Sequence, residues 1–259
     1  ENTVEHEYKS EYRGRVQNRS VETLPMPMYM LSYFKYTNGI KSYQAFDREV
    51  EAFNNTQKPA RHLYVTCNPP QLNEVQTHAF FHSIDSLSSL VDAQRNVDRA
   101  KPLLLQRAVA YSVVQNYDAA ITDLTAYIQI DSTSAIAYYQ RGVCLTMISE
   151  FNVSQGINAQ LQMARAMSDF DTAVKLSPKN AYIYFDRANL YVRQKNYSKA
   201  IDDYTTAIAL NANLAEAYYN RGLIRMQSGD RPGGVTDLSK AGELGLYSAY
   251  SIIKKSEKK

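Results

Sequence analysis

The sequence repeats itself between residues 101 and 248, and this repetition constrains the fold more than any other feature. A large residue is followed three positions later by arginine and then by a small residue. The motif occurs as Leu104-x2-Arg107-Ala108, Tyr138-x2-Arg141-Gly142, Tyr184-x2-Arg187-Ala188 and Tyr218-x2-Arg221-Gly222. A repeated unit of this length cannot bury its apolar face alone, so the copies must stack and share a continuous core.

A second motif lies in the other half of each copy, where a small residue precedes a large one by four positions. It occurs as Ala120-Ile121-Thr122-Asp123-Leu124, Ala166-Met167-Ser168-Asp169-Phe170, Ala200-Ile201-Asp202-Asp203-Tyr204 and Gly234-Val235-Thr236-Asp237-Leu238. Together the motifs resemble the tetratricopeptide repeat, with its aromatic-x2-Leu-Gly-x2-Tyr, Ala-x3-Phe and Pro pattern. The resemblance implies a mainly α fold, a right-handed α-solenoid of helix-turn-helix units. The four predicted units are 101–134, 135–180, 181–214 and 215–248.

The residues before the repeats have a different composition. Met28 to Phe34 and His62 to Cys67 are apolar runs typical of strands, and Ser42 to Phe53 has helical spacing between them. We therefore expect a small α+β cap of strand, helix, strand over residues 1–72. The chain begins at Glu1 rather than at a methionine, which indicates a processed protein or a fragment of a longer one.

Both ends of the repeat array are expected to be covered, because a terminal unit exposes an apolar face. Residues 73–100 are predicted to form a capping helix and a linker. The apolar stripe of that helix consists of Phe80, Ile84, Leu87 and Val91. Residues 249–259 are predicted to form a C-terminal capping helix with a basic tail.

The second unit carries a 12-residue insertion, which the spacing places between its two helices, around Ser149 to Gln160. Insertions in repeat proteins map to loops on one face and often serve binding. An inert, tolerated loop is the alternative interpretation.

Charge and hydropathy argue against a nucleic-acid interface and against a membrane-spanning segment. The formal net charge is +3, and much of that excess lies in the lysines of the last residues, so the repeats are nearly neutral. A nucleic-acid interface would need lysine and arginine clustered on one face. No stretch reaches the ~18 apolar residues of a membrane helix. We therefore expect neither nucleic-acid binding nor an integral membrane segment.

Signatures of catalysis are missing from the sequence. It has no glycine-rich phosphate loop and no nucleophile elbow, and Cys67 and Cys144 are too few for a metal site or a disulfide framework. Glu74, His78, His82 and Asp85 share one face of the predicted capping helix and could chelate a transition metal. Solvated surface is the simpler interpretation of that face. The prediction is therefore no catalytic residue, no metal and no cofactor.

Arginine stands in each unit where the repeat pattern usually has leucine, and each of these arginines is followed by an aspartate in phase. The pairs are Arg107 and Asp123, Arg141 and Asp169, Arg187 and Asp203, and Arg221 and Asp237. Because a guanidinium fork matches a carboxylate, ion pairs between helices are expected. The alternative is a ladder of basic residues that binds a ligand.

The resemblance also implies where a partner would bind, because the first helix of each unit lines the inner groove of such arrays. We predict ten partner-binding residues at these groove positions: Tyr139, Gln140, Val143, Tyr182, Phe185, Asp186, Asn189, Arg193, Tyr219 and Asn220. Leu105, Tyr139, Phe185 and Tyr219 occupy the fifth positions, which disfavours the carboxylate clamp of chaperone-binding arrays. Packing of these aromatic rings between helices is the competing interpretation.

The sequence therefore predicts a non-catalytic interaction scaffold that binds a peptide or partner protein in its groove. The alternative is an accessory or substrate-docking module of a larger enzyme or secretion assembly. The tyrosine-rich units and the closing Gly245 to Tyr250 segment resemble bacterial cell-envelope proteins with tetratricopeptide repeats. That resemblance favours a periplasmic or envelope location over the cytoplasm.

Overall fold

The computed structural model describes residues 74–154 and 156–256. Every regular element within these two ranges is an α-helix. In chain order the helices are α1 (Glu74–Ala93), α2 (Val97–Val113), α3 (Tyr117–Ile130), α4 (Ala135–Ser154), α5 (Gln160–Leu176), α6 (Ala181–Arg193), α7 (Tyr197–Leu210), α8 (Ala215–Gln227), α9 (Arg231–Glu243) and α10 (Ser248–Ser256). The predicted mainly α fold is confirmed for this part of the chain. The cap predicted for residues 1–72 lies outside the described residues.

The described residues divide into two compact units, which we call the N-terminal unit (74–177) and the C-terminal unit (178–256). The N-terminal unit contains α1 to α5, and the C-terminal unit contains α6 to α10. Within each unit, helices that follow one another in sequence pack against one another. The pairs α2/α3, α4/α5, α6/α7 and α8/α9 lie on the four stretches in which the repeat motifs occur.

The turn inside three of these pairs has the same construction. One residue adopts a positive φ, namely Gln115 at 63°, Lys195 at 59° and Gly229 at 94°. The next residue caps the second helix of the pair, because its side chain accepts a hydrogen bond from a backbone N–H of the first turn. These caps are Asn116, Asn196 and Asp230. The tight turn keeps the two helices of a pair adjacent.

The pair α4/α5 departs from this construction because it holds the insertion. Helix α4 has 20 residues, whereas α6 and α8 have 13 each. Much of the extra length is therefore helical. Phe151, Val153, Ile157 and Leu161 are exposed at the end of α4 and the start of α5.

Small residues let the two helices of a pair approach closely. Ala120, Ala166 and Ala200 are completely buried, and so are the large residues Leu124 and Tyr204 four positions further along two of these helices. A methyl group added at Gly222 on α8 would lie 2.9 Å from the carbonyl oxygen of Gly234 on α9. The α8/α9 contact therefore depends on glycine on both helices.

The expected ion pairs form inside all four helix pairs. Each arginine on a first helix meets its aspartate on the second helix through two parallel hydrogen bonds, Nε to Oδ2 and Nη2 to Oδ1. All eight donor–acceptor distances are 2.7 or 2.8 Å. The arginine side chains are only 10–16% exposed and the aspartate side chains 4–10%. The prediction of interhelical pairs is confirmed, and the pairs are largely buried rather than on the surface.

Three of these arginines also reach the helix before their own pair. The remaining guanidinium nitrogen, Nη1, donates to Ser88 on α1 from Arg107, to Thr125 on α3 from Arg141, and to Thr205 on α7 from Arg221. These distances are 3.2, 3.2 and 2.9 Å. One arginine therefore connects three consecutive helices within its unit.

Tyrosine rings flank the same guanidinium groups. The Cζ atoms of Arg141, Arg187 and Arg221 lie 5.6–5.7 Å from the ring centroids of the tyrosines three positions earlier. Arg107 and Arg187 also lie 5.9 and 6.0 Å from the rings of Tyr111 and Tyr191. Such cation–π contacts compensate part of the cost of removing the arginine from water. The frequent tyrosines of the repeats are thereby explained in part.

The burial of the ion pairs predicts an asymmetric response to mutation. Asp169→Ala leaves the Arg141 guanidinium buried without its carboxylate, and we expect the free energy of unfolding to fall by roughly 3–5 kcal/mol. Arg141→Leu combined with Asp169→Ala removes both charges and should be less destabilising than Asp169→Ala alone. Denaturant unfolding of the single and double variants measures this difference.

The control is Glu243→Ala, because Glu243 pairs with Lys240 on the exposed surface of α9. This variant should change the free energy of unfolding by less than about 1 kcal/mol. A loss of similar size for Asp169→Ala would contradict a structural role for the buried pairs.

Candidate partner-binding surface

The groove residues predicted in the N-terminal unit are buried. Tyr139, Gln140 and Val143 lie on α4 and are 1%, 1% and 4% exposed. The Tyr139 ring packs against Phe170 of α5, with the ring centroids 6.2 Å apart. Among the described residues, the Gln140 side-chain Nε2 has no hydrogen-bond acceptor. The aromatic ring belongs to the core, whereas the neighbouring amide keeps an unused donor.

The predicted aromatic residues of the C-terminal unit also pack in its core. Phe185 on α6 contacts Tyr204 of α7, with ring centroids 5.8 Å apart, and Tyr219 on α8 packs with Leu238 and Leu246. For these rings the structure shows the competing interpretation, packing between helices. Whether they also contact a partner stays a prediction.

Two rows of side chains, one on α6 and one on α8, form a surface that we call the groove face of the C-terminal unit. Spacings of four, three and four residues put each row on one side of its helix. The α6 row is Tyr182, Asp186, Asn189 and Arg193. The α8 row is Glu216, Asn220, Leu223 and Gln227. Tyr182, Arg193 and Leu223 are half-buried and Gln227 is exposed, whereas the rest are buried.

A buried hydrogen-bond network joins the two rows. The Asn220 Nδ2 amide donates to Asn189 Oδ1 at 2.9 Å, and the Tyr204 hydroxyl of α7 donates to the same oxygen. Asn189 Nδ2 in turn donates to the Phe185 carbonyl at 2.9 Å. All polar atoms of the Asn189 side chain are therefore used. In the part of the chain that the structure describes, Asn220 Oδ1 accepts no hydrogen bond.

Three residues of the groove face are not among the ten predicted residues, namely Glu216, Leu223 and Gln227, and Glu216 is the most buried of the three. It is 4% exposed, and its Oε2 atom meets no hydrogen-bond donor within the described ranges. Burial raises its pKa from the ordinary 4.5 to about 8, and a hydrogen bond from its own backbone N–H opposes this rise only in part. Glu216 is the second residue of α8, as Tyr182 is of α6, and this shared position was the signal available in the sequence.

Two acidic groups, Glu216 and Asp186, act electrostatically on Tyr182. Burial raises the pKa of Tyr182 far above its ordinary value, and the carboxylates of Glu216 and Asp186 raise it further. Tyr182 therefore stays a neutral phenol beside these two acidic groups. We call Glu216, Asn220, Asp186 and Tyr182 the acceptor cluster, because its unused atoms, Glu216 Oε2 and Asn220 Oδ1, are acceptors.

Neither the histidine-bearing face of α1 nor Cys144 forms a comparable site in the described part of the chain. Glu74, His78, His82 and Asp85 are all exposed on α1, and no group of three or more metal-ligating side chains is found in residues 74–154 and 156–256. Cys144 is fully buried, and burial raises the pKa of its thiol to about 12, which suppresses its reactivity. None of the described helices is long and apolar enough to cross a membrane.

Comparisons with known protein families identify the same repeat in this chain. Residues 188–229 match a family model described as TPR repeat, and residues 170–202 match one described as tetratricopeptide repeat. The sequence has no significant match among curated proteins. The chain therefore contains tetratricopeptide repeats, as the resemblance predicted.

Solved structures of MamA have a similar fold. One crystal structure of MamA is 24% identical, covers 70% of this chain and 99% of its own, and has a TM-score of 0.56. MamA from residue 41 to its end, from Desulfovibrio magneticus RS-1, is 16% identical, covers 66% and 88%, and has a TM-score of 0.55. At these identities the likeness shows the fold alone.

The raised pKa of Glu216 predicts a pH-dependent stability difference. Between pH 4.5 and about 8 the folded chain holds a proton on Glu216 that the unfolded chain has released. The free energy of unfolding therefore falls as pH rises through this window, by up to about 1.4 kcal/mol per pH unit. Glu216→Gln removes this loss, so the wild type should become less stable relative to the variant as pH rises.

Thermal unfolding of both proteins across the window measures the effect. Because Tyr182 and Asp186 are present in both, the difference curve reports on Glu216. Melting temperatures that stay parallel from pH 4.5 to pH 8 would show that the carboxyl group is solvated.

Proposed function

We propose that this chain is a non-catalytic scaffold that binds a peptide or protein segment along the first helices of its repeats. The supporting observation is the set of unused polar atoms at groove positions: Gln140 Nε2, Glu216 Oε2 and Asn220 Oδ1. Gln140 and Asn220 are the sixth residues of their units, and Glu216 is the second residue of its unit. Buried polar groups in proteins nearly always have hydrogen-bond partners, so these three atoms require an explanation. An extended peptide supplies both donors and acceptors.

The core position of the aromatic rings changes how the groove would work. Tyr139, Phe185 and Tyr219 are 1–3% exposed, so they set the shape of the surface rather than offer contact area. The half-buried Tyr182, Arg193 and Leu223 and the exposed Gln227 are the side chains that a docked segment can cover. The partner therefore contacts a polar surface with one tyrosine, one cation and one aliphatic residue.

A bacterial cell-envelope location is supported by the tyrosine-rich units and the closing Gly245 to Tyr250 segment, and it remains a prediction. The accessory-module alternative describes the same groove occupied by a neighbouring domain or substrate.

A peptide-display experiment tests the groove directly. The full chain is used to select from a phage-displayed library of unstructured peptides, and the dissociation constant of the best peptide is measured. The combined variant Tyr182→Ala, Arg193→Ala, Gln227→Ala should weaken binding at least about tenfold, which corresponds to about 1.4 kcal/mol. These side chains are not fully buried, so the fold should persist.

The matched control removes one tyrosine, one cation and one glutamine elsewhere. Tyr247, Lys240 and Gln129 are exposed and lie outside the groove face. The variant Tyr247→Ala, Lys240→Ala, Gln129→Ala should bind within about twofold of the wild type. If both variants weaken binding equally, or if neither weakens it, the proposal that the peptide binds in the groove is wrong.

A further inference from the structure

We propose that the acceptor cluster binds a long basic side chain, lysine or arginine, of the docked segment. This inference rests on the proposed function and assigns the chemistry of one subsite. Glu216 and Asn220 on α8 would contact the cationic group, and Tyr182 and Asp186 on α6 would lie beside it.

The first line of support is the unmatched carboxylate. Glu216 is 4% exposed, and within residues 74–154 and 156–256 neither a hydrogen bond nor an ion pair reaches its Oε2 atom. Buried acidic groups in proteins are ordinarily paired or coordinate a metal, because an isolated buried charge costs several kcal/mol. A cation delivered by a ligand would remove this cost, and Glu216 would then favour the bound state.

The second line of support is the direction of the remaining hydrogen bonds. The Tyr204 hydroxyl and the Asn220 amide N–H already donate to Asn189 Oδ1. Among the described residues, Asn220 Oδ1 and Glu216 Oε2 have no hydrogen-bond partner, and both are acceptors once Glu216 has released the proton that it holds below about pH 8 in the unbound chain. A ligand group that fits must supply donors only. Ammonium and guanidinium groups have several donors and no acceptor.

The chain itself shows how it receives a guanidinium group. In each repeat an arginine meets a carboxylate, with a tyrosine ring beside it: Arg187 bonds Asp203 at 2.7 and 2.8 Å, and the Tyr184 ring lies 5.6 Å away. The acceptor cluster has the carboxylate of Glu216 and the tyrosine Tyr182, but no arginine bonds Glu216 in the described part of the chain. The missing component is the cation.

The depth of Glu216 selects a long side chain over a backbone N–H. Tyr182 and Leu223 are half-buried, whereas Glu216 and Asn220 are only 4% and 0% exposed. Lysine and arginine cover apolar surface with their stems and reach further with their charged ends.

The test uses the full chain and labelled peptide pools. Each pool fixes one central residue as lysine, arginine, norleucine or glutamate, and the flanking positions are randomised among uncharged residues. Fluorescence anisotropy at neutral pH gives the apparent dissociation constant of each pool. The lysine and arginine pools should bind at least about tenfold more tightly than the norleucine pool, and the glutamate pool should bind most weakly.

Glu216→Gln should abolish the preference for basic pools while keeping nearly the same shape. The matched control is Asp202→Asn, which removes one negative charge from an exposed position on α7. The control should keep the preference, because a cluster that acts at short range is insensitive to the net charge. A preference that persists in Glu216→Gln would overturn the assignment.

The order of the dissociation constants of the pools for the wild-type chain tests the basic subsite even if the Glu216 variant does not fold. If all pools bind equally and the Tyr182, Arg193, Gln227 variant weakens them, the basic subsite is wrong and the groove function stands. If the glutamate or norleucine pool binds best, the assignment is overturned. If no pool binds, the subsite and the proposed function both fail.

Discussion

The buried arginine–aspartate pair is the interaction on which the rest of this structure depends. A bidentate pair fixes distance and orientation together, and it recurs at the same position in all four helix pairs with donor–acceptor distances of 2.7 or 2.8 Å. Apolar packing alone tolerates small sliding of one helix along another, whereas a charge buried beside its counter-ion does not. The additional bonds to Ser88, Thr125 and Thr205 extend this constraint to the preceding helix.

This constraint also positions the groove face. When the first helices α6 and α8 are held in register, Asn189 and Asn220 meet at 2.9 Å and Glu216 lies buried near Tyr182. Each repeat arginine forms two hydrogen bonds to its aspartate, whereas within the described residues no hydrogen bond or ion pair reaches Glu216 Oε2. The proposed basic subsite would use the same chemistry as the repeat, because each places a carboxylate and a tyrosine around a cation.

The sequence predicted the helical fold and the ion pairs because both depend on periodic patterns. Arg107 and Asp123 and their counterparts could be paired from phase alone. The degree of burial could not, and it makes these pairs structural rather than superficial. The aromatic rings Tyr139, Phe185 and Tyr219 were selected as binding residues, since position in the repeat does not reveal which way a ring packs. Glu216 shares its repeat position with Tyr182, but only the structure shows that it is buried and that its Oε2 atom has no hydrogen-bond partner within the described residues.

A titration of the Glu216 carboxyl carbon by ¹³C NMR tests the account most directly. The chain is labelled at glutamate side chains, and the Glu216 signal is assigned by its loss in Glu216→Gln. A buried, unpaired carboxyl group should titrate with a midpoint near 8, and the midpoint should fall when a lysine-containing peptide binds. A midpoint near 4.5 in the unbound chain would mean that Glu216 is hydrated or already paired, and it would contradict the account.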